Sequence, residues 1–178
     1  MPGPVDHLRV VGRVVRGLRR LSLDPVLVGA MALVVLGSRR VTRDFDFVVP
    51  KLGDRLAALV GLFYDHGLEL VSRLSESGDV VRTISSRDVA AIRLRLDEVS
   101  SAYFFSIKTG LRIDLLFDFP IPAATLTARA TRLKVRAQLI DIASEEDLRR
   151  LKQIAKAARS APGDAEDLAF LEARRKRT

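Results

Sequence analysis

The stretch VLVGAMALVVLGSRRVTRDFDFVV, Val26 to Val49, decides how the chain is read. Val26–Val28 suits a short buried strand, Gly29 a tight turn, and Ala30–Leu36 a short helix with an entirely apolar face. Gly37–Arg43 is a loop, and Asp44–Val49 is a second strand stopped by Pro50. Successive side chains of a strand point to opposite faces. Asp44 and Asp46 therefore share one face, while Phe45, Phe47 and Val49 take the other. Two carboxylates side by side repel each other unless a cation lies between them.

Upstream, Val5–Leu21 has helical periodicity, with Leu8, Val11, Val15 and Leu18 on one stripe and Arg9, Arg13, Arg16 and Arg20 on another. Pro25 cannot continue that helix and restricts Asp24. Downstream, Leu52–His66 reads as an amphipathic helix ended by Gly67, and Leu68–Val71 as a strand. Ser72–Asp88 is loop-rich with one strand at Val80–Ile84. Ala91–Leu96 alternates Ile92, Leu94 and Leu96 with Arg93 and Arg95, which predicts a half-buried strand. Tyr103–Lys108 and Arg112–Phe117 are predicted strands joined by a Thr109-Gly110 turn. Leu133–Ile142 supplies one or two more. Ser144 opens a helix in a capping-box outline that ends in Asp147, running to about Arg159. A break at Pro162–Gly163 precedes a final helix from Asp164 that ends in an exposed basic tail, Arg174–Arg177. The expected class is α/β of the α+β type: a mixed sheet with packed helices, residues 1–142, followed by a C-terminal helical pair, residues 143–178, in one compact domain.

Asp114 alternates with Ile113, Leu115 and Phe117, so it too is a polar side chain set in a core strand. If that strand lies beside Asp44–Val49, three carboxylates converge. Clusters of oxygen ligands suit Mg²⁺ or Mn²⁺, and the chain has no cysteine and no histidine pair to offer a softer metal. Two such ions can activate an attacking hydroxyl and stabilise a leaving pyrophosphate. Gly29 opens a helix whose first amides suit phosphate oxygens, and Arg39, Arg40 and Thr42 lie just ahead of the acids, within reach of a triphosphate.

In this order, Val28-Gly29-Ala30 and Gly37-Ser-Arg-Arg40-Val-Thr42-Arg-Asp44-Phe-Asp46 resemble the signature of DNA polymerase β-like nucleotidyltransferases. The minimal bacterial branch that includes AbiEii-type abortive-infection toxins is the most similar. Ala143-Ser-Glu-Glu-Asp147-Leu-Arg-Arg-Leu-Lys152, with Arg159 and Asp164-x-x-Asp167-Leu-x-x-Leu171, resembles that branch's C-terminal helices. The resemblance implies a nucleotidyltransferase fold and transfer of NMP from an NTP to an acceptor hydroxyl. It implies metal ligation by Asp44 and Asp46, with Asp114 completing the site and helping to deprotonate the acceptor. It also implies nucleotide or phosphate contacts at Gly29, Ala30 and Lys152, with phosphate or loop-ordering roles for Arg40 and Thr42. Ala30 departs from relatives that carry a second glycine or a serine there, so a hydroxyl contact to phosphate is lost.

Charge bears on the partner. Residues 1–43 hold eight arginines against two acids and residues 129–178 are also basic, whereas residues 44–128 are mildly acidic; the whole chain carries +8. Basic ends favour a polyanionic acceptor such as RNA or a tRNA end, with a cognate antitoxin as a further expected partner. An antibiotic-modifying enzyme and a non-catalytic nucleotide-binding protein of the same fold are the alternatives. No apolar run reaches ~18 residues, the threshold for a membrane span. The start of the chain lacks the layout of a signal peptide, so a cytoplasmic protein without a membrane partner is expected.

Overall fold

The computed structural model describes residues 6–97, 99–159 and 161–177. Its centre is an eight-stranded mixed sheet of order β4-β3-β5-β6-β2-β1-β8-β7. The strands are β1 (Val26–Val28), β2 (Asp44–Val49), β3 (Glu69–Leu74), β4 (Val80–Ile84), β5 (Ser101–Phe105), β6 (Arg112–Phe117), β7 (Thr131–Val135) and β8 (Gln138–Ile142). The helices are α1 (His7–Arg20), α2 (Gly29–Val35), α3 (Leu56–Asp65), α4 (Arg87–Asp97), α5 (Ala123–Arg129), α6 (Glu145–Ala158) and α7 (Pro162–Arg175). This is the mixed sheet with packed helices expected from the sequence.

The central strands are apolar on one face without interruption. Phe45, Phe47, Val49, Ile113, Leu115 and Phe117 are all buried, and α1 brings Val11, Val14, Val15 and Leu18 to the same apolar cluster. Each of those α1 side chains is at most 1% exposed, a burial worth roughly 1.5–3 kcal/mol apiece. The predicted arginine stripe of α1 is on the surface, with Arg9, Arg13, Arg16 and Arg20 all exposed. Leu148 of α6 and Leu171 of α7 join the same cluster as the strands. Ser144 caps α6 as its sequence promised, its Oγ accepting from the Asp147 amide at 3.1 Å.

Four expectations need correction. Ala91–Leu96 is not a strand but part of α4. Its buried positions are Ala90 and Leu94, four apart, while Ile92 stands 56% exposed. The alternation of apolar and arginine residues there hid a helical stripe. The strand predicted at Tyr103–Lys108 is β5, which begins two residues earlier and ends three earlier, because Ser106–Gly110 folds into the turn, with the Gly110 amide bonded to Ser106 O. Pro162 begins α7 and does not break the chain ahead of it, since a proline fits the first helical turn, where its missing N–H has no partner to lose. Arg174 does not belong to a free tail: it donates to Glu145 and to Leu36 O, tying α7 to α6 and α2. Helix α5 was not anticipated. Val5, the predicted first residue of α1, lies outside the described residues.

Candidate active site

The site is built by strand register. β2 and β6 run parallel, pairing Asp44 with Arg112 and Asp46 with Asp114. On the other side of β6, β5 runs antiparallel and sets Tyr103 against Asp114. Period-two alternation then carries Asp44, Asp46, Arg112, Asp114 and Tyr103 to one face, with the phenylalanines of β2 directed into the core. The three predicted carboxylates thus come together on adjacent strands. A cavity of about 360 Å³ lies on the opposite face, lined by Leu27, Met31, Phe45 and Ile140. Thr42 faces that cavity, and its Oγ1 accepts from the Asp44 amide at 3.4 Å. Its position therefore suits loop ordering, and no phosphate contact follows from it.

Gly29, the first residue of α2 and directly after β1, meets Asp46. It has φ +70°, a conformation costly for any residue with a Cβ. A Cβ there would also lie 3.0 Å from Asp46 Cγ and closer still to Oδ2. The glycine is required twice, by its backbone and by the carboxylate above it. Ala30 follows as the second residue of α2, partly exposed.

The carboxylates differ in their partners. Among the described residues no donor reaches the side chains of Asp44 or Asp46. Burial pushes Asp46 up to about 7, and the negative charges of Asp114 and Asp44 push the same way, against weaker pulls from Lys152 and Arg112. Asp114 is held instead. Arg112 Nε donates to its Oδ1 at 2.8 Å and a terminal guanidinium nitrogen to its Oδ2 at 2.9 Å. Burial still raises Asp114 above the usual carboxylate range, helped by Asp44 and opposed by Arg112. Arg112 was not singled out from sequence, although it precedes Asp114 by two residues and so shares its strand face.

The donor set can be tested against a divalent cation. Two unpartnered carboxylates with hard oxygen donors, one of them raised to about 7 by burial and by its acidic neighbours, fit Mg²⁺ or Mn²⁺. The third acid is a different matter, because each of its oxygens already accepts one N–H from Arg112, which leaves one lone pair on each. As the side chains stand, no group of three acids or histidines among the described residues is arranged to hold a metal.

Lys152 and Arg40 converge on the acids of α7. Lys152, 8% exposed, lies 2.6 Å from Asp167 and 3.3 Å from Asp164, both 1% exposed. Arg40 reaches across from the α2–β2 loop to pair with Asp167 and to donate to Gly163 O at 3.2 Å. Gly163 leaves room for that guanidinium, whose Cζ would be 2.7 Å from an added Cβ. Lys152 lies near enough to Asp46 to pull it down, but both cations expected from sequence to bind phosphate are engaged with counter-ions on α7.

One prediction follows from the Asp46 environment. A carboxyl raised above its unfolded value contributes stability that is complete below about pH 4 and lost as pH rises through about 7. Asp46→Asn, which cannot ionise, is expected to be more stable than the wild type at pH 8 in EDTA, by on the order of 1–3 kcal/mol. The two should converge near pH 4. Mg²⁺ should narrow the gap at pH 8 by stabilising the wild type alone. Thermal unfolding at both pH values checks this, and a variant less stable at pH 8 would refute it.

No protein-family model matches the chain, and no curated protein is similar to it in sequence. Solved structures are similar in fold. A crystal structure of an antigenic nucleotidyltransferase-like protein from Paracoccidioides brasiliensis aligns over 94% of this chain and 76% of its own, with a TM-score of 0.56 and 16% identity. The lincosamide antibiotic adenylyltransferase LnuA, in its lincomycin-bound form, aligns over 92% and 95% at a TM-score of 0.57 and 10% identity. The antibiotic-resistance factor ANT(2'')-Ia aligns over 94% and 84% at a TM-score of 0.55 and 11% identity. The class they define is the nucleotidyltransferase fold, and this chain has it.

Proposed function

We propose that the protein is a metal-dependent nucleotidyltransferase that moves NMP from an NTP to an acceptor hydroxyl. The observation that carries this reading is the pairing of Asp46 with Asp114 in one register, beside a glycine that cannot carry a side chain. In the reaction the acceptor oxygen attacks the α-phosphorus, the α–β phosphoanhydride bond breaks, and pyrophosphate leaves. Asp44 and Asp46 would hold Mg²⁺ or Mn²⁺, which when bound supplies electrostatic stabilisation of the charge developing on the phosphoryl oxygens. Asp114, lifted by burial and oriented by Arg112, is placed to accept the acceptor's proton at a carboxylate oxygen. Gly29 lets the backbone of β1–α2 approach the phosphates closely. Arg40 and Lys152 would exchange Asp167 for the triphosphate when it enters.

RNA, such as a tRNA end, is the acceptor favoured by the exposed arginine ridge of α1. The likeness of the signature and the last two helices to AbiEii-type sequences supports a toxin or phage-defence role with a cognate antitoxin, acting in the cytoplasm. No helix among the described residues is long and apolar enough to cross a membrane. Incubation with labelled NTPs, Mg²⁺ and total RNA should transfer label to RNA, and Asp44→Ala with Asp46→Ala should remove it at least 10³-fold. Transfer that survives the double variant would refute the site.

A second reading has one observation in its favour, the engagement of Asp114 by Arg112. On that reading the chain binds NTP without turning it over, and calorimetry would show tight NTP binding with no pyrophosphate released in the presence of RNA or an antibiotic acceptor.

A further inference from the structure

We propose that Arg112 is a resident cation standing where a second metal ion would otherwise share Asp114, so that the site binds one divalent ion, through Asp44 and Asp46. This rests on the nucleotidyl-transfer reading and changes how its charge is balanced. Arg112 is anchored at three points. It holds both oxygens of Asp114 in a bidentate pair, donates to Gly78 O at 2.9 Å, and stacks over the Tyr103 ring with its Cζ 4.9 Å from the centroid. Its side chain is 15% exposed.

The register sharpens the point. Arg112 lies opposite Asp44 in the β2–β6 pairing, so its charge falls among all three acids. A bidentate arginine–carboxylate pair is among the stronger protein contacts, and it occupies one lone pair on each Asp114 oxygen and places a fixed positive charge on that side of the carboxylate. A second ion in the place of the guanidinium would have to displace it from the carboxylate, the ring and the carbonyl together. It would also bring two positive charges beside one that remains. The Gly78 carbonyl comes from the turn between β3 and β4. β3 pairs with β5 only at Glu69 and Leu70 before leaving it, which lets that turn reach Arg112. The β3–β4 hairpin therefore helps to fix the cation in place. Asp44 and Asp46, without donors, are left as the pair open to an exogenous ion.

Mn²⁺ binding to the full chain, counted by EPR with a non-hydrolysable NTP analogue present, tests this without an activity readout. The wild type should bind one Mn²⁺. Arg112→Met should bind a second with at least tenfold higher affinity than the wild type does, and Asp114→Asn, which leaves the arginine in place, should keep the single ion within twofold of wild-type affinity. Wild-type protein that binds two ions as tightly as Arg112→Met would overturn the proposal, as would a loss of more than tenfold in Asp114→Asn. The Asp114→Asn result decides the matter even if Arg112→Met does not fold. Asp46→Asn identifies the site: if it binds Mn²⁺ as the wild type does, the nucleotidyl-transfer reading itself fails, and the proposal with it.

Discussion

Gly29→Ala is expected to abolish NTP-dependent label transfer, with a loss of at least 10²-fold, while the fold survives. Two costs meet at this position. The backbone has φ +70°, where a Cβ is unfavourable by roughly 1 kcal/mol. The larger cost is the approach to Asp46, whose Cγ would be 3.0 Å from the new atom. Either Asp46 rotates away or β1 withdraws from β2, and Val28 pairs with Asp46 in the intact ladder. Both responses move a carboxylate that, on the proposed function, would hold the divalent ion, and a misplacement of about 1 Å can cost ~10²-fold on its own. Thermal unfolding should show a decrease of only a few kcal/mol. Activity within threefold of wild type would mean that Asp46 does not act from the position the structure gives it.

The carboxylate arrangement was legible in sequence because it depends on one rule, strand alternation, applied to Asp44, Asp46 and Asp114. The same rule applied once more would have found Arg112, two residues before Asp114. What sequence does not carry is register: nothing in the two strands alone says that Asp46 rather than Asp44 lies beside Asp114. Helix α4 was misread for a related reason. Ile92, Leu94 and Leu96 alternate with arginines, a pattern compatible with a strand, and the decisive burial of Ala90 and Leu94 follows from α4 packing on α3. Arg40 was legible only as positive charge just ahead of the acids, and Lys152 only through the resemblance of the last two helices. Their pairing with Asp167 is a contact between elements more than 100 residues apart for Arg40, and no local pattern encodes it.

That pairing makes Lys152→Met the second strong prediction. Lys152 sits between Asp164 and Asp167, and removing one member of a buried ion cluster costs ~3–5 kcal/mol because the others lose their compensation. At about 2–4 °C per kcal/mol for a chain of this size, Tm should fall by roughly 6–20 °C. Burial alone would raise Asp164, but Arg159 and Lys152 outweigh it and hold it below the usual carboxylate range. A depressed carboxyl contributes stability above its unfolded value and loses it as pH falls through the folded one. The gap between wild type and variant should therefore be full at neutral pH and close below about pH 4. Adding Asp164→Asn should recover part of the lost Tm by removing a carboxylate that no longer has its lysine. Nucleotide binding separates the two possible duties of Lys152. If it moves from Asp167 to the triphosphate, the double variant regains stability while its NTP affinity, measured by calorimetry, stays at least tenfold below wild type. If affinity returns with stability, Lys152 serves only the joint between α6 and α7, and the phosphate contact must be sought at Arg40.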